Sequence, residues 1–399
     1  MWNLTKEAKI RFQQCNLLPI PETDEEWEAV IRDAEEEGED IKQRLKEELE
    51  EVKEELLQVL PEKFIPNVLD GTLNQPTLPK AIRSDYLNWV REASEEFENI
   101  LDLAHKQTED AVAELPKAVK EVFEDSLHDS TIQRITWEDD VLHLYINTDG
   151  GFSTKAIIHL IFINVLTEMT DSPLEVGQWF IYDELQKTRE GFAFRVLFES
   201  PEAEWTITMK KMDAVYYYRP SLYTKLRDED KLEEISVNQY VSQLDTEPNY
   251  WLITPDVTCP IRSFENGISL ENGEINFDSD EIEVVVEGER FTYGLETYEP
   301  ISFIYSDVYE DPYASFNEAL PIDELEEAAL GDDLELQVRA WNTMYENPTE
   351  LADVINPVLL KAEITEENEM AMGVYINHFY NEGILQDDVV EKYCRFIEM

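Results

Sequence analysis

Between Asp24 and Leu60, apolar side chains return every three or four positions, at Trp27, Ile31, Ala34, Ile41, Leu45, Leu49, Val52, Leu56 and Val59, with one interruption at Gly38. That spacing puts them in a single narrow stripe and predicts an amphipathic helix. Thr23 or Asp24 can cap its start, acidic residues fill its first turn, and Pro61 ends it. Unbroken, it would run about 55 Å at 1.5 Å per residue, so its stripe needs a second long helix for cover. Pro79 to about Ala113 supplies one, with Leu87, Val90, Ala93, Phe97, Ile100, Leu101 and Ala104 on one side. The connector LPEKFIPNVLDGTLNQPTLPK holds four prolines and a glycine, and a short helix is expected near Ala118 to Phe123. Residues 1–125 therefore read as a helical hairpin or small bundle.

The period shortens to two at Ser130. TIQRITW and VLHLYIN flank the polar turn Glu138-Asp139-Asp140 and predict a β-hairpin. The apolar run KAIIHLIFINVL suits a central strand, with a buried helix segment as the alternative. QWFIYDELQKT and GFAFRVLFES lie either side of REG, and EWTITMKKM follows SPEA. Phe192, Phe194, Val196 and Phe198 share one face of their strand, and Ala193, Arg195 and Glu199 the other. A largely antiparallel meander of five or six strands is the economical arrangement for 126–260, although residues 222–258 show no clear period.

Residues 261–399 open with ENGISLENGEINF and EIEVVVEGERFTYGLE, short strands punctuated by two Asn-Gly turns, and close with helices such as PIDELEEAALGDDLELQVRAWNTMYEN and TEENEMAMGVYINHFYNEG. The expected fold class is α+β: an N-terminal helical hairpin or bundle, a central mostly antiparallel sheet, and an acidic C-terminal region of short strands followed by helices. Changes of period set the expected domains at 1–125, 126–260 and 261–399, with no internal repeat or low-complexity linker.

At 399 residues the chain exceeds the usual single core, and 43% apolar composition with 17 Phe, 18 Tyr and 8 Trp is enough to bury several. The start, MWNLTKEAKIRFQQ, places charges where a secretory signal needs apolar residues, and no run of about 18 apolar residues occurs. A soluble cytoplasmic protein is expected. Cys15, Cys259 and Cys394 are odd in number and far apart, which argues for reduced thiols rather than a disulfide framework or metal knuckle.

Charge changes the picture most. The net value is −57, divided as −17 over residues 1–125, −12 over 126–260 and −28 over 261–399. Such a field repels nucleic-acid phosphates and anionic lipids and attracts basic proteins. Direct nucleic-acid binding and membrane binding are not expected, whereas a basic protein partner is. Simple solubility or adaptation to high salt is the competing reading, but Glu outnumbers Asp by 60 to 29, and a salt-adapted surface would lean on Asp.

Few motifs carry chemistry. His128-Asp129 is adjacent as in metal-dependent phosphohydrolases, yet it opens a strand instead of lying on helices, so a corner role is expected, with Asp129 and Ser130 bonding to nearby backbone N–H groups. The metal alternative takes His128, Asp129 and His143 as ligands, with His159 close by if the first strands are neighbours. No Gly-x-Ser-x-Gly, phosphate loop, dinucleotide fingerprint or His-Glu-x-x-His is present, and no cofactor is expected. DSDEIE at 278–283 and GDDLE at 331–335 lack the order of a calcium loop and read as solvated acidic surface. In AVYYYRP, consecutive strand tyrosines must face both ways, so Tyr216, Tyr217 and Tyr218 beside Arg219 are candidate binding residues. Asp332 and Asp333 stand for the acidic region.

The stretches LPEKFIPNVLDGTLNQPTLPKAIRSDYLNWVREASEEFENIL and LHDSTIQRI resemble an uncharacterised bacterial domain-of-unknown-function family, over about the first 220 residues. That resemblance implies helices, then a Leu-His-Asp-Ser strand entry and an antiparallel sheet, and it implies no activity. The same short entry is similar to one in small α+β proteins of bacterial toxin–immunity loci. The expected function is a non-enzymatic cytoplasmic binding protein, of immunity or inhibitor type, that captures a basic partner. A metal-dependent hydrolase and an acidic nucleic-acid mimic are the alternatives, and oligomeric state stays open.

Overall fold

The computed structural model describes residues 2–265, 267–277, 280–365 and 368–397. They form an α+β protein of two compact units, Met1–Arg219 with Asp245–Val308, and Pro220–Leu244 with Tyr309–Met399.

The first unit opens with six helices: α1 (Lys6–Cys15), α2 (Asp24–Glu37), α3 (Ile41–Val59), α4 (Ile65–Leu69), α5 (Lys80–Val112) and α6 (Lys117–Val122). The single helix expected from Asp24 to Leu60 is two. Gly38 takes φ 75°, a left-handed value that ends α2, and the Asp40 carboxylate then caps α3. Thr23 closes a capping box with Glu26 at the start of α2. The stripe survives the break: Trp27, Leu49 and Leu56 pack with Phe64 and Tyr86. Farther along α5, Phe97 and Ala104 turn to a different surface, packing with Leu4 and Leu197.

That surface belongs to a barrel. Strands β1 (Thr131–Glu138), β2 (Val141–Asn147), β3 (Ile157–Thr170), β4 (Trp179–Lys187), β5 (Phe192–Glu199) and β6 (Ala203–Tyr217) close in the order β1-β2-β3-β6-β5-β4. The sheet is antiparallel, as expected, but it is not one meander: two three-stranded meanders meet through β3 with β6 and β1 with β4. Bulges at Ile132/Arg134, Val165/Thr167 and Phe180/Tyr182 supply the bending that closure needs. Leu142, Leu144, Leu160, Phe162, Phe194 and Trp205 fill the interior. The run KAIIHLIFINVL is strand β3, and the helix alternative falls.

Strand β5 is buried on both faces. Its outer side is covered by the first residues of the chain: Leu4 meets Leu197, and the Trp2 ring lies 5.4 Å from the Arg195 guanidinium, which also pairs with Glu204.

After the barrel come β7 (Tyr250–Ile253), β8 (Thr258–Ser263), β9 (Ser269–Leu270), β10 (Gly273–Phe277), β11 (Glu281–Val286), β12 (Glu289–Gly294) and β13 (Ile304–Ser306). They make a sheet ordered β13-β7-β8-β9 and a meander β10-β11-β12. The expected Asn-Gly turns are borne out only in part: Gly267 takes φ 97° and Asn272 lies in the bend before β10. Glu287 and Gly288, at φ 53° and 88°, join β11 to β12. Gly273 lies in a strand instead, where a Cβ would come within 2.4 Å of the Val285 carbonyl oxygen. Asn266 of the other Asn-Gly pair, and Asp278 and Ser279 of DSDEIE, lie outside the described residues.

The second unit is helical: α7 (Ser221–Asp228), α8 (Val237–Val241), α9 (Leu325–Ala329), α10 (Leu334–Glu346), α11 (Ala352–Lys361), α12 (Glu369–Asn381), α13 (Asp387–Lys392) and α14 (Cys394–Ile397). Trp341, Met344, Ile355, Leu359, Ile376 and Phe379 form its core. The buried amide of Asn356 crosses it, donating to the Ile384 carbonyl at 3.0 Å and accepting from Gln386 N–H at 2.7 Å. The helix-to-strand change near residue 125 falls between α6 and β1, and residue 260 falls inside β8. All three cysteines are free, with Cys394 exposed. Among the described residues, no helix is long and apolar enough to cross a membrane.

Candidate functional site

The His128-Asp129 pair sits where β1 meets β4. Leu127 is buried, and the His128 N–H donates to the Ser126 hydroxyl at 3.1 Å, which fixes the approach. Asp129 takes φ 64°, and its carboxylate accepts the Trp179 indole N–H at 3.1 Å. His128 Nδ1 lies 2.6 Å from the Ile181 carbonyl oxygen. A carbonyl only accepts, so Nδ1 carries the proton and donates it. His128 Nε2 then stands 3.5 Å from Asp129 Oδ1. Both residues hold the corner, but not through the bonds the sequence suggested. Asp129 takes an indole in place of backbone, and the buried Ser130 hydroxyl has no partner among the described residues.

Beside this corner lies a cleft of about 490 Å³, walled by α5, the connector from α6 to β1, and the edge of β4 that β1 leaves uncovered. Side chains from α5 and the corner take up some of that edge: the buried Thr108 hydroxyl accepts the Leu185 N–H at 3.0 Å, as His128 covers the Ile181 carbonyl. The carboxylates here have separate assignments. Asp125 accepts from Lys155 Nζ at 2.9 Å, Ser153 Oγ at 3.0 Å and Thr154 N–H at 3.1 Å. Burial alone would raise its carboxyl, and these donors outweigh burial and hold it below the usual range. Glu184, fully buried, accepts Asn3 N–H and Leu4 N–H at 3.0 Å each and the Asn3 amide at 2.9 Å, so it clips the start of the chain to β4. Asp183, which alternates with the inward-facing Leu185, has no hydrogen-bond partner among the described residues. Burial pushes its carboxyl up to about 7, with His128 pulling it down and Glu184 adding to the rise. Sequence reading passed over Asp183 and Glu184. The signal was there, since two adjacent acids inside the strand QWFIYDELQKT must face opposite sides and one of them must meet cover.

The other expected site residues are placed apart from this cleft. His143 Nδ1 and His159 Nε2 lie 2.9 Å apart on the outer face of the barrel, with Glu138 3.7 Å from His143 Nε2. Burial, His143 and Arg134 push His159 down to about 3. His143 thus pairs with His159, and His128 and Asp129 are bonded at the corner. No group of three or more His, Cys, Asp or Glu residues arranged to hold a metal occurs among the described residues. In AVYYYRP none of the three tyrosines is fully exposed. Tyr216 donates to Glu121 at 2.6 Å, Tyr217 is buried against Ile157, Ile253 and Tyr305, and Tyr218 pairs its backbone with Ser306. Arg219 bonds Asp149 at 2.8 Å and lies over the Tyr305 ring.

Asp332 and Asp333 differ from each other. The Asp333 carboxylate caps α10 by accepting Leu336 N–H at 3.1 Å. Asp332 is exposed and lines a groove of about 500 Å³ between the α9–α10 turn, α10, residues 361–363 and α12. Trp341 and Tyr375 stack in its wall, ring centres 5.4 Å apart, and Leu334 stands 67% exposed at its edge. Lys361, at the rim, pairs with Glu326.

Residues 3–209 match the family described as Protein of unknown function (DUF4085), and the chain belongs to it. The resemblance read from the sequence is thereby shown, and the match takes in the six N-terminal helices, the cleft and most of the barrel. No curated protein and no solved structure matches the chain.

Proposed function

We propose that the protein is a non-enzymatic binding protein whose C-terminal helical unit takes a basic segment of a partner protein, in the manner of an inhibitor or immunity protein. The observation that supports this reading is the groove on α10, where exposed Leu330 and Leu334 and the stacked Trp341 and Tyr375 lie within a stretch, 309–399, holding 22 acidic and four basic residues. A groove with an apolar wall, edged by Asp332 and Glu363 and with its basic residue, Lys361, already held by Glu326, suits a lysine- or arginine-rich segment with an apolar anchor. The anchor would supply affinity, and the rim would supply association rate and selection.

The test is affinity capture with the full chain at low and high salt, run in parallel with the double variant Asp332→Asn, Leu334→Ser. A basic protein held by the wild type, weakened by salt and lost by the variant, is the expected result. Retention that ignores both salt and the variant would end this reading. Displacement of the captured protein by DNA would instead favour a nucleic-acid mimic.

A further inference from the structure

The cleft beside β4 belongs to the other unit and carries an inference independent of the groove. We propose that it is a binding site for a small organic cation, a primary amine on an aromatic or apolar body, with Asp183 as the anion that receives it.

Charge selects the ligand's sign. Glu124, Asp125 and Asp183 line the cleft, and among the described residues no Lys or Arg does. Of these, Asp125 is already neutralised by Lys155, whereas Asp183 faces the cleft with no hydrogen bond among the described residues. Asp183 is half-buried in the cleft wall with no donor on it among the described residues, so it is open to a donor from a ligand, and a primary ammonium brings three. Shape selects the body. Leu4, Leu101, Phe123, Ile181 and Tyr182 give the walls a mostly apolar character, and the aromatic faces of Phe123 and Tyr182 favour an adjacent cation. The volume, about 490 Å³, suits a ligand of one ring and a short chain. Leu4 forms part of the wall only because Glu184 holds the Asn3 and Leu4 amides, so this built wall depends on a second buried carboxylate.

The probe is 2-phenylethylamine, titrated calorimetrically into the full chain, with neutral 2-phenylethanol and anionic 3-phenylpropionate as comparators. Saturable one-to-one binding of the amine, at least about tenfold tighter than the alcohol, is expected from a charge-assisted hydrogen bond to a half-buried carboxylate. Asp183→Asn should remove that preference, Leu101→Trp should block amine and alcohol alike, and Asp332→Asn should change nothing. Equal affinity for amine and alcohol, amine preference that survives Asp183→Asn, or amine uptake at many weak sites would overturn the proposal. If Asp183→Asn does not fold, Leu101→Trp decides: amine binding retained in that folded variant overturns the proposal, and its loss supports it.

Discussion

The cleft beside β4 and the groove on α10 have similar volumes and opposite construction. At the cleft most polar groups are assigned: Asp125 to Lys155, His128 to the Ile181 carbonyl, and Glu184, just behind the wall, to the chain start, leaving half-buried Asp183 and exposed Glu124. In the groove the apolar surface is the unassigned element, and the charges around it are solvated. The contrast teaches that the same excess of acid acts in two ways. Enclosed, a single carboxylate sets chemistry through desolvation; exposed, many of them set only a field that salt screens.

The sharpest way to break the contrast is Glu184→Ala. It strands the buried N–H of Leu4 and the half-buried N–H of Asn3, and denaturant unfolding should show a loss of roughly 3 kcal/mol. Amine binding should fall with it as Leu4 leaves the wall, while capture by the groove stands. Asp183→Asn should act with the opposite sign. Its carboxyl is raised from 3.8 to about 7 on folding, so the folded chain holds the extra proton and stability falls as pH rises through that window. The variant should match the wild type below pH of about 4 and melt a few degrees higher above about 7. Amine affinity should likewise weaken as pH drops below about 7, because the cation must displace that proton. His128 pulls that carboxyl down and Glu184 raises it, so these two neighbours set where the window falls.

Salt separates the two sites next. Between about 0.05 and 0.5 M, capture by the groove should weaken by about tenfold and amine binding by less than about threefold, both read by titration. The smallest effect is Asp333→Ala, which removes the cap of α10 and should cost about 1 kcal/mol in denaturant unfolding without touching the cleft.

Much of the architecture was legible because periodicity is local. The alternation Phe192, Phe194, Val196, Phe198 identified the inner face of β5, and Thr23 and Gly38 were visible as a cap and an interruption. What sequence could not supply was partnership across distance. Nothing in AVYYYRP says that Glu121 bonds Tyr216 or that Tyr305 packs on Tyr217. Closure of the barrel is a pairing between residues about 50 apart, and bulges alone hint at it. The cleft was missed for the same reason: Asp183 gains its character from burial beside His128, which only the seam brings near. Asp332 and Asp333 look equivalent in GDDLE, and only the helix start tells a cap from a surface charge.

The seam itself has a kinetic meaning. Strands β3 and β6 are paired over most of their lengths, but β1 and β4 meet through a few backbone bonds, among them Phe180 N–H to Ser130 at 2.8 Å and Ile132 N–H to Gln178 at 3.0 Å. The His128 ring extends that short zipper by one rung and is also a wall of the cleft. Breathing of the barrel is therefore concentrated at the mouth of the cleft. The amides of Ile132 and Phe180 should exchange with solvent earlier than those within β3, and a molecule lodged beside Asp183 would slow that clock. How long such a molecule stays would then be set by how often the seam opens, more than by how tightly it is held.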